Sequence, residues 1–137
     1  MEKKRLRDMT WEDYGISKYR YRELKNFCLQ YPDKLKALSY GLTSGGDDVS
    51  IRSGKVGRPT ESRAIRNARY SKDTGMIEQS AIAASPEIYP WIIASVTEDL
   101  NYEELLAHTS LGPVPINRFD FYGVRRLFYS ILDKKRK

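Results

Sequence analysis

The C-terminal forty residues of the chain show two different faces at helical spacing. One face is apolar, with side chains that recur every three or four positions: Phe121, Val124, Phe128 and Ile131. A second face combines arginine with tyrosine at similar spacing: Arg118, Tyr122, Arg125 and Tyr129. Residues 101–110 predict a short helix before it, and residues 111–117 a connection marked by glycine and proline. We therefore predict a helix-turn-helix at about 101–137.

A second apolar stripe runs through the N-terminal part of the chain. Its members advance by three or four positions: Tyr21, Leu24, Cys28, Tyr31, Leu35 and Leu38. Ser17 is the predicted cap of this helix. Pro32 predicts either a kink or the start of a second helix. Such a stripe packs either on the rest of the chain or on a second copy, so both an intramolecular core and a dimer seam remain open.

Between these two parts the sequence predicts a linker followed by further helices. Residues 41–59 are rich in Gly, Ser and Asp, which indicates a flexible linker. A helix is predicted over 60–84, with a possible break at Gly75 and a weak apolar face that includes Ile65, Ala68, Met76 and Ile77. A new helix is predicted after Ser85, with Pro90 favouring a later start. No strand alternation lasts more than a few residues.

These patterns predict an all-α fold with three parts. Residues 1–40 form an N-terminal helical segment that could serve oligomerisation, and residues 41–59 form the flexible linker. Residues 60–137 form a helical DNA-binding domain. Its C-terminal three-helix unit, from about residue 86 onward, is expected to be of the helix-turn-helix type.

Charge is strongly segregated along the chain, whose formal net charge is +6. Residues 52–72 carry seven basic side chains and one acidic, and residues 118–137 carry seven basic and two acidic. Residues 73–117 between them carry seven acidic side chains and no Lys or Arg. The two basic blocks are the candidate surfaces for a polyanion, although clusters of this kind also occur on ordinary solvated helices.

Composition limits the chemistry that the chain can perform. The chain has 137 residues, enough for one domain without a separate catalytic one. Its single cysteine, Cys28, and single histidine, His108, exclude an internal disulfide and leave a Cys/His zinc site incomplete. We expect a non-enzymatic protein without cofactor or metal. No apolar run reaches the roughly 20 residues that a membrane span needs, so a cytoplasmic protein without membrane contact is expected.

The candidate DNA contacts lie in the two basic blocks. In the last helix they are the arginines and tyrosines, because arginine binds guanine edges or phosphate and tyrosine donates to phosphate: Arg118, Tyr122, Arg125, Arg126 and Tyr129. Basic residues at spacings of three form a second, phosphate-binding ridge: Arg63, Arg66, Arg69 and Lys72. The basic residues at 134–137 add contacts that do not depend on DNA sequence.

Three stretches resemble a known group of proteins. They are WEDYGISKYRYRELK at 11–25, IEQSAI at 77–82 and FYGVRRLFY at 121–129. In this order they resemble small proteins of phages and prophages of Gram-positive bacteria, grouped loosely with the late-gene transcriptional regulators of the RinA/ArpU type. The resemblance implies a phage-encoded DNA-binding regulator with a C-terminal helix-turn-helix, sigma-region-4-like module that binds double-stranded DNA. RNA polymerase and a second protomer are further expected partners.

Two other functions are compatible with the same features. A DNA-packaging factor, similar to a small terminase subunit, would form a ring oligomer. A protein-binding inhibitor of a host enzyme would use the basic blocks against an acidic protein surface and would have no affinity for DNA at physiological salt.

Overall fold

A computed structural model describes the backbone of residues 4–43, 57–108 and 110–137, and the side chains of residues 4–39, 62–107 and 110–137. Within these ranges the chain is helical and contains no strand, which confirms the all-α prediction. After a 3-10 helix at Leu6–Asp8 come six α-helices: α1 (Lys18–Leu29), α2 (Tyr31–Thr43), α3 (Gly57–Ala84), α4 (Tyr89–Glu98), α5 (Tyr102–His108) and α6 (Arg118–Lys135).

Local signals explain most of the helix boundaries. The Ser17 hydroxyl accepts a hydrogen bond from the Arg20 N–H and caps α1, as predicted. Pro32 lies in the first turn of α2, so the chain starts a second helix there rather than bending the first. The Asn117 side chain accepts from the Asp120 N–H and caps α6. In contrast, α3 runs through Gly75 without a break.

The chain forms two compact units. The first consists of Met1–Gln30 with Met76–Lys137, and the second of Tyr31–Gly75. These bounds differ from the predicted division at 40 and 60. Most of the predicted linker, residues 44–56, lies outside the described residues, whereas residues 41–43 and 57–59 are helical.

In the first unit α6 is the central helix. It packs against the 3-10 helix, α1 and α4, while α4 also contacts α1 and α5. The largest fully buried side chains come from α1, α3, α4, α5 and α6 and include Tyr129, Phe121, Phe128, Leu24 and Ile92. Leu24 and Cys28 of α1 are thus core residues of this unit. For the α1 half of the N-terminal stripe, the intramolecular alternative is therefore correct.

The second unit has a different interior. Among its described residues, 31–39 and 62–75, no apolar side chain is buried, and the buried residues are Lys34 and Thr74. Leu35 and Ile65 are exposed. Ile65 and Ala68 were predicted to share an apolar face with Ile77, but only Ile77 is buried, so that part of the prediction is wrong.

None of the described helices is long and apolar enough to cross a membrane.

The connection between α5, which ends at His108, and α6, which begins at Arg118, is longer than the usual turn of three or four residues. The predicted helix-turn-helix of sigma-region-4 type is not confirmed.

Candidate nucleic-acid interface

The predicted recognition helix, α6, is enclosed by its neighbours. From Phe121 to Asp133 every residue is buried or half-buried. Three elements cover it, namely the 3-10 helix, α1 and α4. A major-groove reader needs one face open to the duplex. In this structure α6 presents no such face along its central three turns.

Tyr129 belongs to the core and not to a binding surface. Its exposed fraction is 0%, and its ring packs against those of Trp11 and Tyr21, with centroids 5.9 and 5.2 Å away. Burial raises the pKa of its hydroxyl well above the ordinary value for tyrosine. The predicted DNA contact of Tyr129 would require its ring to leave the core in order to reach a duplex.

Arg125 and Arg126 are also committed within the first unit. The Arg125 guanidinium lies 5.9 Å from the ring centroids of both Tyr122 and Tyr129, a cation–π arrangement. Arg126 donates two hydrogen bonds to backbone carbonyls of the N-terminal segment, to Met9 at 2.8 Å and to Arg7 at 3.1 Å. Arg126 therefore stabilises the packing of the N-terminal segment on α6, whereas the two contacts of Arg125 lie within α6 itself.

The N-terminal segment reaches α6 because Gly123 has no side chain. A Cβ atom at Gly123 would lie 2.7 Å from backbone atoms of Leu6 and Arg7. Arg7 also lies 5.4 Å from the Phe119 ring and 3.7 Å from the Asp120 carboxylate. Residues 4–9 thus cover the side of α6 that carries Phe119, Gly123 and Arg126, and among the five predicted DNA contacts it is Arg126 that they bind.

The two remaining candidates of α6 differ in exposure. The Tyr122 hydroxyl accepts a hydrogen bond from the backbone N–H of Tyr102 at 2.9 Å, which joins α6 to the start of α5. Arg118 is exposed, and its guanidinium lies 3.4 Å from the Glu103 carboxylate. Of the five predicted DNA contacts in α6, Arg118 is therefore the one with an exposed side chain.

The end of α6 remains basic and exposed. All four residues at 134–137 are exposed, as predicted for phosphate contacts. Two of them have partners within the chain. The Arg136 guanidinium lies 3.8 Å from the centroid of the Phe27 ring, and Lys137 lies 3.6 Å from the Asp133 carboxylate.

The second predicted set lies on α3 and is far more accessible. We call residues 62–72 the basic segment. Nine of its eleven residues are exposed, and the other two, Asn67 and Tyr70, are half-buried. All four predicted contacts are among the exposed residues: Arg63, Arg66, Arg69 and Lys72. The segment contains no acidic residue.

The contacts among the described residues do not neutralise the positive charge of the basic segment. Arg66 lies 5.7 Å from the Tyr70 ring, and no described carboxylate forms an ion pair with any of the four basic side chains. The first acidic residue after the segment, Asp73, accepts a hydrogen bond at 2.9 Å from Lys34 of α2. Because Lys34 occupies that carboxylate, Asp73 does little to neutralise Lys72.

The structure thus reverses the order of the two predicted sets. The regular Arg/Tyr spacing predicts a binding face on α6, but spacing alone does not reveal what packs on a helix. The lack of acidic residues in 62–72, together with a weak apolar pattern, was the sequence signal for the exposed site. In the described side chains, no group of three His, Cys, Asp or Glu residues could hold a metal ion.

Comparisons of the chain with protein-family models, with curated proteins and with solved structures found no match.

Proposed function

We propose that the protein binds double-stranded DNA, with the basic segment of α3 as its main phosphate-contacting surface. The observation that carries this proposal is the set of four exposed cations on a helical segment that holds no acidic residue. Cations placed in this way displace condensed counterions from a phosphate backbone, which supplies sequence-independent affinity.

Charge elsewhere in the chain supports a localised surface rather than a diffuse one. Several exposed cations of the first unit form ion pairs with carboxylates, such as Lys25 with Asp99 and Arg118 with Glu103. Residues 134–137 form an additional exposed basic group at the end of α6. We assign these residues a supporting role, since two of the four have partners within the chain.

The biological role that we propose is that of a phage transcriptional regulator of the late-gene type. This part of the proposal rests on the resemblance of three stretches to the RinA/ArpU type. The acidic block at 73–117, which carries seven acidic residues and no Lys or Arg, is then the candidate surface for a protein partner such as RNA polymerase, with exposed Glu87 and Glu98 outside the ion pairs described above. DNA binding is the prerequisite, so it is tested first.

The test compares two triple variants that lose the same charge. Arg63/Arg66/Arg69→Gln removes three cations from the basic segment, and Lys18/Arg22/Lys36→Gln removes three exposed cations from α1 and α2. Glutamine preserves helix propensity in both. Binding to a fluorescent mixed-sequence duplex is measured between about 50 and 200 mM salt, with a single strand alongside.

We expect the α3 variant to lose affinity by on the order of 100-fold near 0.1 M salt, and its salt slope to fall by about 2.7, since each lost phosphate contact removes about 0.9. The control variant should stay close to the wild type. Equal losses in the two variants would show attraction by net charge alone and would contradict the proposal. Absence of binding to the duplex even at the lowest salt would favour the alternative that the protein binds another protein.

A further inference from the structure

The basic segment has an outward face with one apolar member. Ile65, Ala68, Arg69 and Lys72 follow one another at i, i+3, i+4 and i+7, so they lie on the same side of α3. The half-buried or buried residues of this region, Asn67, Tyr70 and Thr74, fall on another side. Ile65 is 62% exposed and therefore points away from the covered side. An exposed isoleucine between cations is not explained by phosphate binding.

The shape of the segment fits a groove. Residues are exposed around most of the circumference of α3 between 62 and 72, with only Asn67 and Tyr70 half-buried. A helix with its side chains is about 10–12 Å across, and the major groove of DNA is about 12 Å wide. Such a helix needs free flanks on both sides of the face that meets the bases. Residues 62–72 of α3 provide them, whereas the central turns of α6 do not.

Charge identifies the occupant of this face. A second copy of the segment would bring four further cations against Arg69 and Lys72, which is unfavourable because the nearest carboxylate, Asp73, is bonded to Lys34. A duplex offers phosphates at both edges of the major groove. On the floor of that groove the apolar group of the bases is the C5-methyl of thymine.

We propose that this outward face enters the major groove and that Ile65 contacts thymine methyl groups, while Arg69 and Lys72 bind the flanking phosphates. The inference rests on the proposed DNA binding and adds to it a preference among base pairs. Thymine-containing sites should bind more tightly than otherwise identical sites without the methyl group.

The experiment changes the methyl group and nothing else. An alternating A·T duplex is compared with the same duplex in which every thymine base is replaced by uracil, which lacks the C5-methyl group. The minor groove of the two duplexes presents the same acceptors, so a contact there would not distinguish them. Affinity is measured for the wild type, for Ile65→Ala and for a control, Ile82→Ala, which changes an exposed isoleucine of α3 outside the basic segment. Alanine keeps the helix in both variants.

We expect the wild type and Ile82→Ala to prefer the thymine duplex by about fourfold per contacted methyl group. Ile65→Ala should bind both duplexes equally, with the affinity that the wild type has for the uracil-containing duplex. Equal binding of both duplexes by the wild type, or a preference that survives in Ile65→Ala, would overturn the inference. In either case a steep salt dependence would leave the proposed function intact. Absence of binding to both duplexes at low salt would refute the two together.

Discussion

Among single residues, Asp133 shows how deeply α6 is built into the first unit. Its exposed fraction is 4%, and its carboxylate accepts a hydrogen bond at 2.6 Å from Nε of Arg20 on α1. The same bond raises the pKa of the Arg20 guanidinium. Removal of one partner from a buried ion pair destabilises the fold, because the other charge is left without compensation.

Asp133→Asn tests this pair. Asparagine keeps the shape but removes the charge, which leaves the Arg20 guanidinium with a weaker, neutral acceptor. We expect a loss of about 1.5–3 kcal/mol in the free energy of unfolding, the range for hydrogen bonds to charged groups. The measurement is urea unfolding followed by circular dichroism.

Asp99→Asn is the matched control, because Asp99 forms an exposed ion pair with Lys25 at 3.4 Å. Its φ of 57° lies in the left-handed region, which asparagine tolerates as well as aspartate does. We expect a change within about 0.5 kcal/mol, as for other surface pairs. Equal effects of the two substitutions would show that burial of Asp133 does not strengthen its ion pair.

At the scale of elements, the contact between the 3-10 helix and α6 depends on a glycine. Gly123 lies in the middle of α6, where alanine would be the better helix former by about 1 kcal/mol. Its replacement by alanine would place a Cβ atom 2.7 Å from backbone atoms of Leu6 and Arg7, and backbone atoms cannot rotate away as a flexible side chain can. The close approach explains why a helix interior carries glycine at this position.

Gly123→Ala and Gly75→Ala therefore have opposite expected effects. Gly123→Ala should lower stability, because relief of such a clash typically costs about 1–3 kcal/mol and exceeds the gain in helix propensity. Gly75 is also inside a helix, but nothing lies within 4 Å of a Cβ placed there. Gly75→Ala should raise stability by about 0.5–1 kcal/mol. Thermal unfolding of the two variants decides, and a Gly123→Ala protein as stable as the wild type would contradict the close packing.

The same elements show how far sequence predicts this fold. Helix positions were predictable because their signals are local: Ser17 caps α1, Pro32 opens α2, and the apolar spacing of Phe121, Val124 and Phe128 marks α6. The packing of other elements over α6 was not predictable, since it depends in part on residues 4–9, which lie more than a hundred positions away in the chain. Tyr129 illustrates the difficulty, because a tyrosine at helical spacing suits a core and a binding face equally well.

At the scale of the whole molecule, the two compact units differ in what stabilises them. The first buries large side chains from α1, α4, α5 and α6. The described residues of the second bury Lys34 and Thr74 but no apolar side chain. Because apolar burial is the main favourable term in folding, helical residues of the second unit should open more readily.

Amide hydrogen exchange measures this difference directly. In the free protein we expect amides of the basic segment, residues 62–72, to exchange at a lower opening free energy than amides of α6 at 124–132. The physical reason is that the α6 amides exchange only when a core containing Phe128 and Tyr129 opens. Equal protection of the two segments would show that the second unit is stabilised by contacts outside the described residues.

Exchange in the presence of DNA then separates the two candidate surfaces within one experiment. A duplex bound through α3 reduces the opening of residues 62–72, so their amides should gain protection, because a ligand that binds only the folded state stabilises it. Residues 118–122, at the start of α6, serve as the internal comparison, since Arg118 is exposed there. Protection gained at 118–122 and not at 62–72 would return the interface to α6.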